Sequence, residues 1–339
     1  MQVLVTAPLR VSASSIVTAV ALAGLAAAAG LGLGLGCHRE PPPPAAGSQA
    51  AGSQAASGTP NAPTATPATP PGASVAAPGA PVGAPADGHP TVPRVVSLTP
   101  SATEVVAALG ATAMLVGVDD YSVFPPEVTK LPKVGSFLAP NLETIVALAP
   151  TLVIVDDVHG QAAGALGDAG IITVACAMHA LPDIKGALRT VGARLGKSAE
   201  ADRVAAAIDA ALDRAAANRP AKRPRVLAII DRESGGLGNL VSAGPGSWID
   251  ELLAVVGGDN VLRAAAVRYP KISIEEVLRA RPDVILDLSY AARQSVAAWR
   301  TLDVPAVAAG RVKMLDQPYL IAPSPRVAEA LAALATALQ

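Results

Sequence analysis

The feature that most limits what this chain can become is an internal duplication. Asn141-Leu142-Glu143-Thr144-Ile145-Val146-Ala147-Leu148-Ala149-Pro150 leads into an apolar strand from Leu152 to Val155. Ser273-Ile274-Glu275-Glu276-Val277-Leu278-Arg279-Ala280-Arg281-Pro282 leads in the same way into Val284 to Leu288. Cap, glutamate, amphipathic helix, proline and buried strand recur at the same offsets. Each copy follows an opening strand of the same kind, Arg94 to Leu98 and Arg225 to Ile229. Strand, turn and helix alternate throughout, which predicts an α/β fold with mainly parallel sheets. The duplication makes that fold two similar lobes, spanning 94–182 and 219–339.

Between the lobes, 183–218 carries Ile184, Leu188, Val191 and Leu195, then Val204, Ile208 and Leu212, at helical spacing. This predicts a long helical linker, which Gly196-Lys197-Ser198 can break into two helices with Ser198 capping the second. A helical connector resists hinge bending, so ligand capture should need only small lobe movement. In the first lobe, Ser101-Ala102-Thr103-Glu104 reads as a capping box opening a helix through Leu109, with Gly110 as its stop.

The segment ahead of the lobes has a different texture. Residues 1–36 hold one basic group, Arg10, then run apolar or small from Val11 to Gly36, the pattern of an export signal. The run ends in Leu33-Gly34-Leu35-Gly36-Cys37, which resembles a lipobox except that Gly34 stands where leucine is usual. Lipidation of Cys37 is the leading expectation. A retained membrane span of roughly 20 residues and plain secretion stay open, and all three place the lobes outside the cytoplasm. Residues 37–93 are mostly Pro, Ala, Gly, Ser and Thr, a composition too poor in apolar side chains to offset its ordering entropy, which predicts a disordered tether.

Charge and cysteine content exclude several classes. A net charge of −1 gives no electrostatic reason to expect nucleic acid or an acidic partner. With only 2 cysteines and Cys37 assigned to the lipid, Cys176 has no partner and is expected as a buried core thiol. Gly236-Leu237-Gly238 lacks the third glycine of a dinucleotide fingerprint and reads as a loop. No nucleophile elbow or metalloprotease His-Glu pair occurs, and the histidines form no cluster suited to closed zinc binding. The chain is therefore expected to be no enzyme, with no resident cofactor and no metal ligands of its own.

Several motifs in order carry a family resemblance. Arg94-Val95-Val96-Ser97-Leu98-Thr99-Pro100-Ser101-Ala102-Thr103-Glu104, Val116-Gly117-Val118, Tyr121 with Pro125-Pro126, and Asn141-Leu142-Glu143 resemble the first lobe of cobalamin-binding proteins. Gly246-Ser247-Trp248, Gly257-Gly258-Asp259-Asn260-Val261 and Ser324-Pro325-Arg326 continue the match. The wider group is the helical-backbone binding proteins of ABC importers for cobalamin, heme and ferric siderophores. The resemblance implies a monomeric, extracytoplasmic protein that captures a metal chelate and docks onto a permease dimer with its ATPase. Cobalamin or a related corrinoid is the first ligand, heme or a ferric siderophore the second, and a permease-independent scavenger the alternative use of the fold.

That resemblance also implies site residues. Glu143 and Glu275, superimposed by the duplication, are the permease-docking glutamates. Tyr121, Phe137 and Tyr269 match cleft aromatics of the cobalamin binders, and Tyr319 is added by its place upstream of Ser324-Pro325-Arg326. Flat aromatic faces suit a corrin or porphyrin. The expected tryptophans are largely replaced by smaller aromatics, and Trp248 and Trp299 lie in helical patterns that read as structural. His159 is a candidate axial ligand to cobalt or iron, and Arg232 a candidate for an acidic group of the ligand.

Overall fold

The computed structural model describes residues 92–289 and 296–339. The expected leader, Cys37 and nearly all of the tether lie outside the described residues. Among those residues no helix is long and apolar enough to cross a membrane.

The first lobe runs β1 (Val95–Ser97), α1 (Pro100–Ala108), β2 (Leu115–Val118), β3 (Gly135–Ser136), β4 (Ala139–Pro140), α2 (Leu142–Ala147), β5 (Leu152–Val155), α3 (Gly160–Asp168) and β6 (Thr173–Ala175). Its sheet has the order β2-β1-β5-β6, all parallel, with β3 and β4 a separate antiparallel pair. Two helices follow, α4 (Leu181–Arg194) and α5 (Ser198–Ala217). The second lobe runs β7 (Arg225–Asp231), β8 (Leu240–Ser242), α6 (Trp248–Val256), β9 (Asp259–Asn260), β10 (Lys271–Ile272), α7 (Ile274–Ala280), β11 (Val284–Asp287), α8 (Pro305–Ala308), β12 (Val312–Met314), α9 (Pro318–Ile321) and α10 (Val327–Leu338). Its sheet has the order β10-β8-β7-β11-β12, with β9 beside the start of β7. Strands β7, β11 and β12 are parallel, while β8 is antiparallel to β7 and β10. The expectation of mainly parallel sheets holds for both lobes, with the reversed strand confined to one flank of the second.

The duplication reaches deeper than its sequence pattern. Asn141 caps α2 by accepting the Thr144 N–H at 2.9 Å, and Ser273 caps α7 by accepting the Glu276 N–H at 3.3 Å. The arginine that opens each first strand reaches the far end of its repeat helix. Arg94 donates to the Leu148 carbonyl at 2.6 Å, and Arg225 to the Ala280 carbonyl at 2.7 Å. Both satisfy carbonyls that the helix itself leaves unpaired, with positive charge at the negative end of its dipole. The residue before each proline, Ala149 and Arg281, takes a left-handed backbone with φ of 45° and 44°. Each helix thus stops at the same strained corner before turning into the buried strand.

Two capping expectations need correction. Helix α1 begins one residue before Ser101, and its cap is Thr99, whose hydroxyl accepts the Ala102 N–H at 3.0 Å. Glu104 is therefore free of any capping box, and it is buried. Ser198 is the first residue of α5 rather than its cap; Lys197 holds that position without a side-chain hydrogen bond. The linker is a hairpin of two helices that pack on each other and are joined by Lys185–Asp209 at 2.7 Å. Helix α4 leans on α1 of the first lobe, and α5 on α6 and α10 of the second. One apolar cluster continues from Val105 and Val106 through Leu188 and Ile208 to Leu252 and Leu331. Cys176 belongs to this cluster, and burial pushes its thiol up to about 12.

Removing the helix-end contact should cost the two lobes alike. Arg94→Ala and Arg225→Ala should each lower unfolding free energy by about 1 kcal/mol, additively in the double variant, as read by urea denaturation.

Candidate functional site

In parallel sheets the loops leaving the C-terminal ends of the strands share one edge, which is where α/β folds bind ligands. In the first lobe that edge carries Asp119 to Phe124 after β2, Asp156 to His159 after β5, and Cys176 to His179 after β6. In the second it carries Arg232 after β7, and Gln317 with Tyr319 after β12.

The two edges meet through Arg326. Its guanidinium carbon lies 4.0 Å from the ring centre of Phe124 in the first lobe and 4.3 Å from that of Tyr319 in the second. A cation between two aromatic faces attracts both, and Glu329 grips the same guanidinium in two hydrogen bonds. Beside it Ser324 donates to the Glu104 carboxylate across the lobes. Burial holds the Glu104 carboxyl above its usual range, opposed by that hydrogen bond and by Arg326. This seam was missed at the sequence level. Ser324-Pro325-Arg326 was visible as a motif, but nothing in it named Glu104 and Phe124, some 200 residues away, as partners.

Tyr121 is half-buried on a loop held by its neighbours. Its N–H donates to Asp119 Oδ2 at 2.9 Å, and Ser122 donates to the other oxygen of the same carboxylate. Lys133 clamps the loop by donating to the Asp119 and Ser122 carbonyls at 3.0 and 2.8 Å. Tyr269 and Tyr319 are half-buried as well, both against the shared core. Burial is the main cause that raises all three phenols above their ordinary range, so each ring presents a neutral O–H. The Gln317 amide oxygen, two residues before Tyr319, is buried without a hydrogen-bond partner.

Three expected ligand contacts are otherwise engaged. His159 is only 4% exposed. Its Nδ1 accepts the Asp156 N–H at 2.9 Å and its Nε2 donates to the Phe137 carbonyl at 2.6 Å. Neither nitrogen is left for cobalt or iron, and burial lowers the imidazole pKa, keeping it neutral. Phe137 is 8% exposed and packs edge-on against that imidazole at 5.3 Å, so its ring braces the β3–β4 turn more than it faces a ligand. Arg232 is 3% exposed. It donates to Asp287 at 2.7 Å and to the Gly236 carbonyl at 2.6 Å, while Trp299 also donates to Asp287 at 2.8 Å. A buried pair of this kind is costly to break, which makes Arg232 a structural cation rather than an anchor for a ligand acid. Trp248 is likewise internal, its indole N–H donating to the Tyr319 carbonyl at 3.2 Å.

Glu143 and Glu275 are exposed in the first turns of α2 and α7. Ser273 and Glu276 close a capping box between themselves, which leaves Glu275 outside it. Hydrogen bonds to its own backbone N–H and to Ser273 hold the Glu275 carboxyl below its usual range. Three residues on, each helix turns an aliphatic side chain outward, Val146 at 47% and Leu278 at 38% exposure, over a buried Ile145 or Val277. The two lobes therefore present the same small motif, a carboxylate beside an exposed aliphatic group.

Asp119 makes the first lobe sensitive to pH. Burial pushes its carboxyl up to about 6, against a usual 3.8. Between those values the folded chain holds more protons than the unfolded one, so this carboxyl costs stability as pH rises from 4 towards 7. Asp119→Asn should remove on the order of 2 kcal/mol of that pH dependence, measured by comparing denaturation of both proteins at pH 4.5 and 7.5.

The comparisons with known proteins bear on family and fold. The chain is 31% identical over 199 residues to the vitamin B12-binding protein of Salmonella choleraesuis (strain SC-B67), covering 57% of this chain and 71% of the relative. Among solved structures, the periplasmic heme-binding protein RhuT from Roseiflexus sp. RS-1 in apo form is 31% identical with a TM-score of 0.66, covering 73% of this chain and 98% of that one. The periplasmic vitamin B12 binding protein BtuF of Vibrio cholerae is 26% identical with a TM-score of 0.59, covering 72% and 96%. The sequence pattern of the periplasmic binding proteins matches residues 95–319, and this chain belongs to that family.

Proposed function

We propose that this chain is the extracytoplasmic substrate-binding protein of an ABC importer and that its cargo is cobalamin or a related corrinoid. The observation that carries the reading is the meeting of the lobes through Phe124, Arg326 and Tyr319, with Tyr121 on the adjoining loop. Aromatic faces bury the flat area of a macrocycle at low entropic cost. The neutral phenols and the engaged His159 favour a cargo that needs no axial ligand from the protein. The vitamin B12-binding relatives support the same choice. Cargo is delivered unchanged, so this reading calls for no catalysis and no resident cofactor. Heme is the second reading, favoured by the likeness to RhuT.

In this reading Glu143 and Glu275 dock onto the permease dimer, with Val146 and Leu278 supplying apolar contact beside each charge. Anchoring by a lipidated Cys37 would keep the lobes near that permease.

Calorimetric titration with cyanocobalamin and with hemin separates the cargoes. We expect one-to-one binding of cyanocobalamin, weakened at least about tenfold in Tyr319→Ala through loss of aromatic contact. Hemin binding alone, with a shifted Soret band, would replace this assignment with the heme reading; binding of neither would overturn both.

Docking is tested apart from binding. The Glu143→Lys/Glu275→Lys variant should abolish corrinoid uptake by cells while leaving cyanocobalamin affinity within about twofold, because exposed, solvent-screened charges contribute little to ligand binding. Uptake that survives both reversals would point to a permease-independent scavenger.

A further inference from the structure

Outside the aromatic seam, a group of chemistry-bearing side chains stands on the same edge of the first sheet. Asp156 and Asp157 leave β5, and His179 leaves the neighbouring strand β6. One donor atom from each lies within 4.8 Å of the other two. We propose that Asp156, Asp157 and His179 form a binding site for a divalent transition-metal cation. This site is independent of the cargo assigned above.

Three observations support it. The first is spacing. His179 Nε2 and Asp157 Oδ2 are 3.1 Å apart. Two ligands each about 2.1 Å from one ion, at angles between octahedral and tetrahedral, lie about 3.0–3.4 Å apart. A hydrogen bond already holds the two side chains at that separation.

The second is charge. Among the described residues, the polar partners of these carboxyls are each other, backbone N–H groups and His179. A hydrogen bond joins Asp156 to Asp157, so one proton is shared between them. A divalent cation would take the place of that proton.

The third is accessibility combined with rigidity. Asp156 is 8% exposed, whereas the side chains of Asp157 and His179 are 46% and 28% exposed. One candidate ligand is thus buried and two are open to solvent. The backbone at His179 is held in place, since its main-chain N–H and that of Ala180 both donate to Asp183 Oδ2 at 2.9 Å. One imidazole with two carboxylates is a borderline donor set, suited to zinc, cobalt or manganese more than to calcium or magnesium. The strands bring together residues 22 apart in sequence, which is why no spacing motif announces the site.

The bland alternative is a surface Asp157–His179 ion pair with Asp156 serving only as a turn cap. Titration of the chelator-stripped full chain with cobalt(II) chloride, followed by its visible absorption and by calorimetry, separates the two. We expect one saturable site with bands typical of a nitrogen- and oxygen-ligated cobalt ion. Loss of an outer partner alone costs metal sites about 10–100-fold in affinity, so His179→Ala and Asp157→Asn should each weaken binding at least that much. Their solvent-open positions should leave folding, checked by circular dichroism, intact. Asp156→Asn should do the same and keeps the turn cap. His38→Ala/His89→Ala, which removes the histidines of the leading segment, should leave binding unchanged. Absence of a saturable site, or unchanged affinity in His179→Ala, would overturn the proposal.

Discussion

The continuous apolar core through α4 and α5 is the constraint on which the rest of this molecule depends. Ile184, Leu188 and Val191 of α4 pack on the first lobe, and Ala205, Ile208 and Ala211 of α5 lie against the second. Burying a side chain such as leucine or isoleucine is worth about 1.5–3 kcal/mol, so swinging the lobes widely apart would expose several such contributions at once. A connector built into both cores leaves the lobes able to adjust by small shifts but not by a free hinge. Lobes held this way are largely positioned before a ligand arrives, which suits recognition by shape.

The polar seam adds orientation to that packing. Glu104 and Ser324 join the lobes through a buried hydrogen bond, and Arg326 is held simultaneously by Glu329, Phe124 and Tyr319. Each group answers a need of another: a buried carboxylate needs a donor, and a guanidinium set among rings needs a counter-charge. The same logic explains why His159 and Arg232 are unsuited to ligand contact. Buried polar groups must be satisfied, and here Phe137, Asp156, Gly236 and Asp287 satisfy them from within the protein. In the proposed reading, what remains for a ligand is chiefly aromatic surface.

The repeated surface motif rests on an equally local mechanism. Helices α2 and α7 are short, and each is held at one end by a side-chain cap and at the other by the arginine of the opening strand. A helix of six or seven residues has little stability of its own. Those end contacts fix its direction, and with it the presentation of Glu143 or Glu275 beside an exposed Val146 or Leu278. The symmetry of the two surfaces follows from the duplication of the whole unit, caps and corners included.

Sequence alone determined whatever depends on near neighbours. The alternation of strand and helix, the two lobes, the helical connector with its break near Gly196, the burial of Cys176 and the paired exposed glutamates were all legible, because periodicity and caps act over a few residues. Even there the nearest competitor sometimes won: Thr99 took the cap expected of Ser101, since Pro100 fits the first turn of a helix and starts it one step earlier. Only the tertiary structure decided what distant side chains do to one another. Glu104 read as half of a capping box and became a bridge to Ser324; His159 and Arg232 read as open donors and became internal ones; Asp156, Asp157 and His179 carried no shared motif and became neighbours. The reason is physical. A side chain's availability depends on which partners folding brings within about 3 Å of it, and no pattern along the chain states that distance.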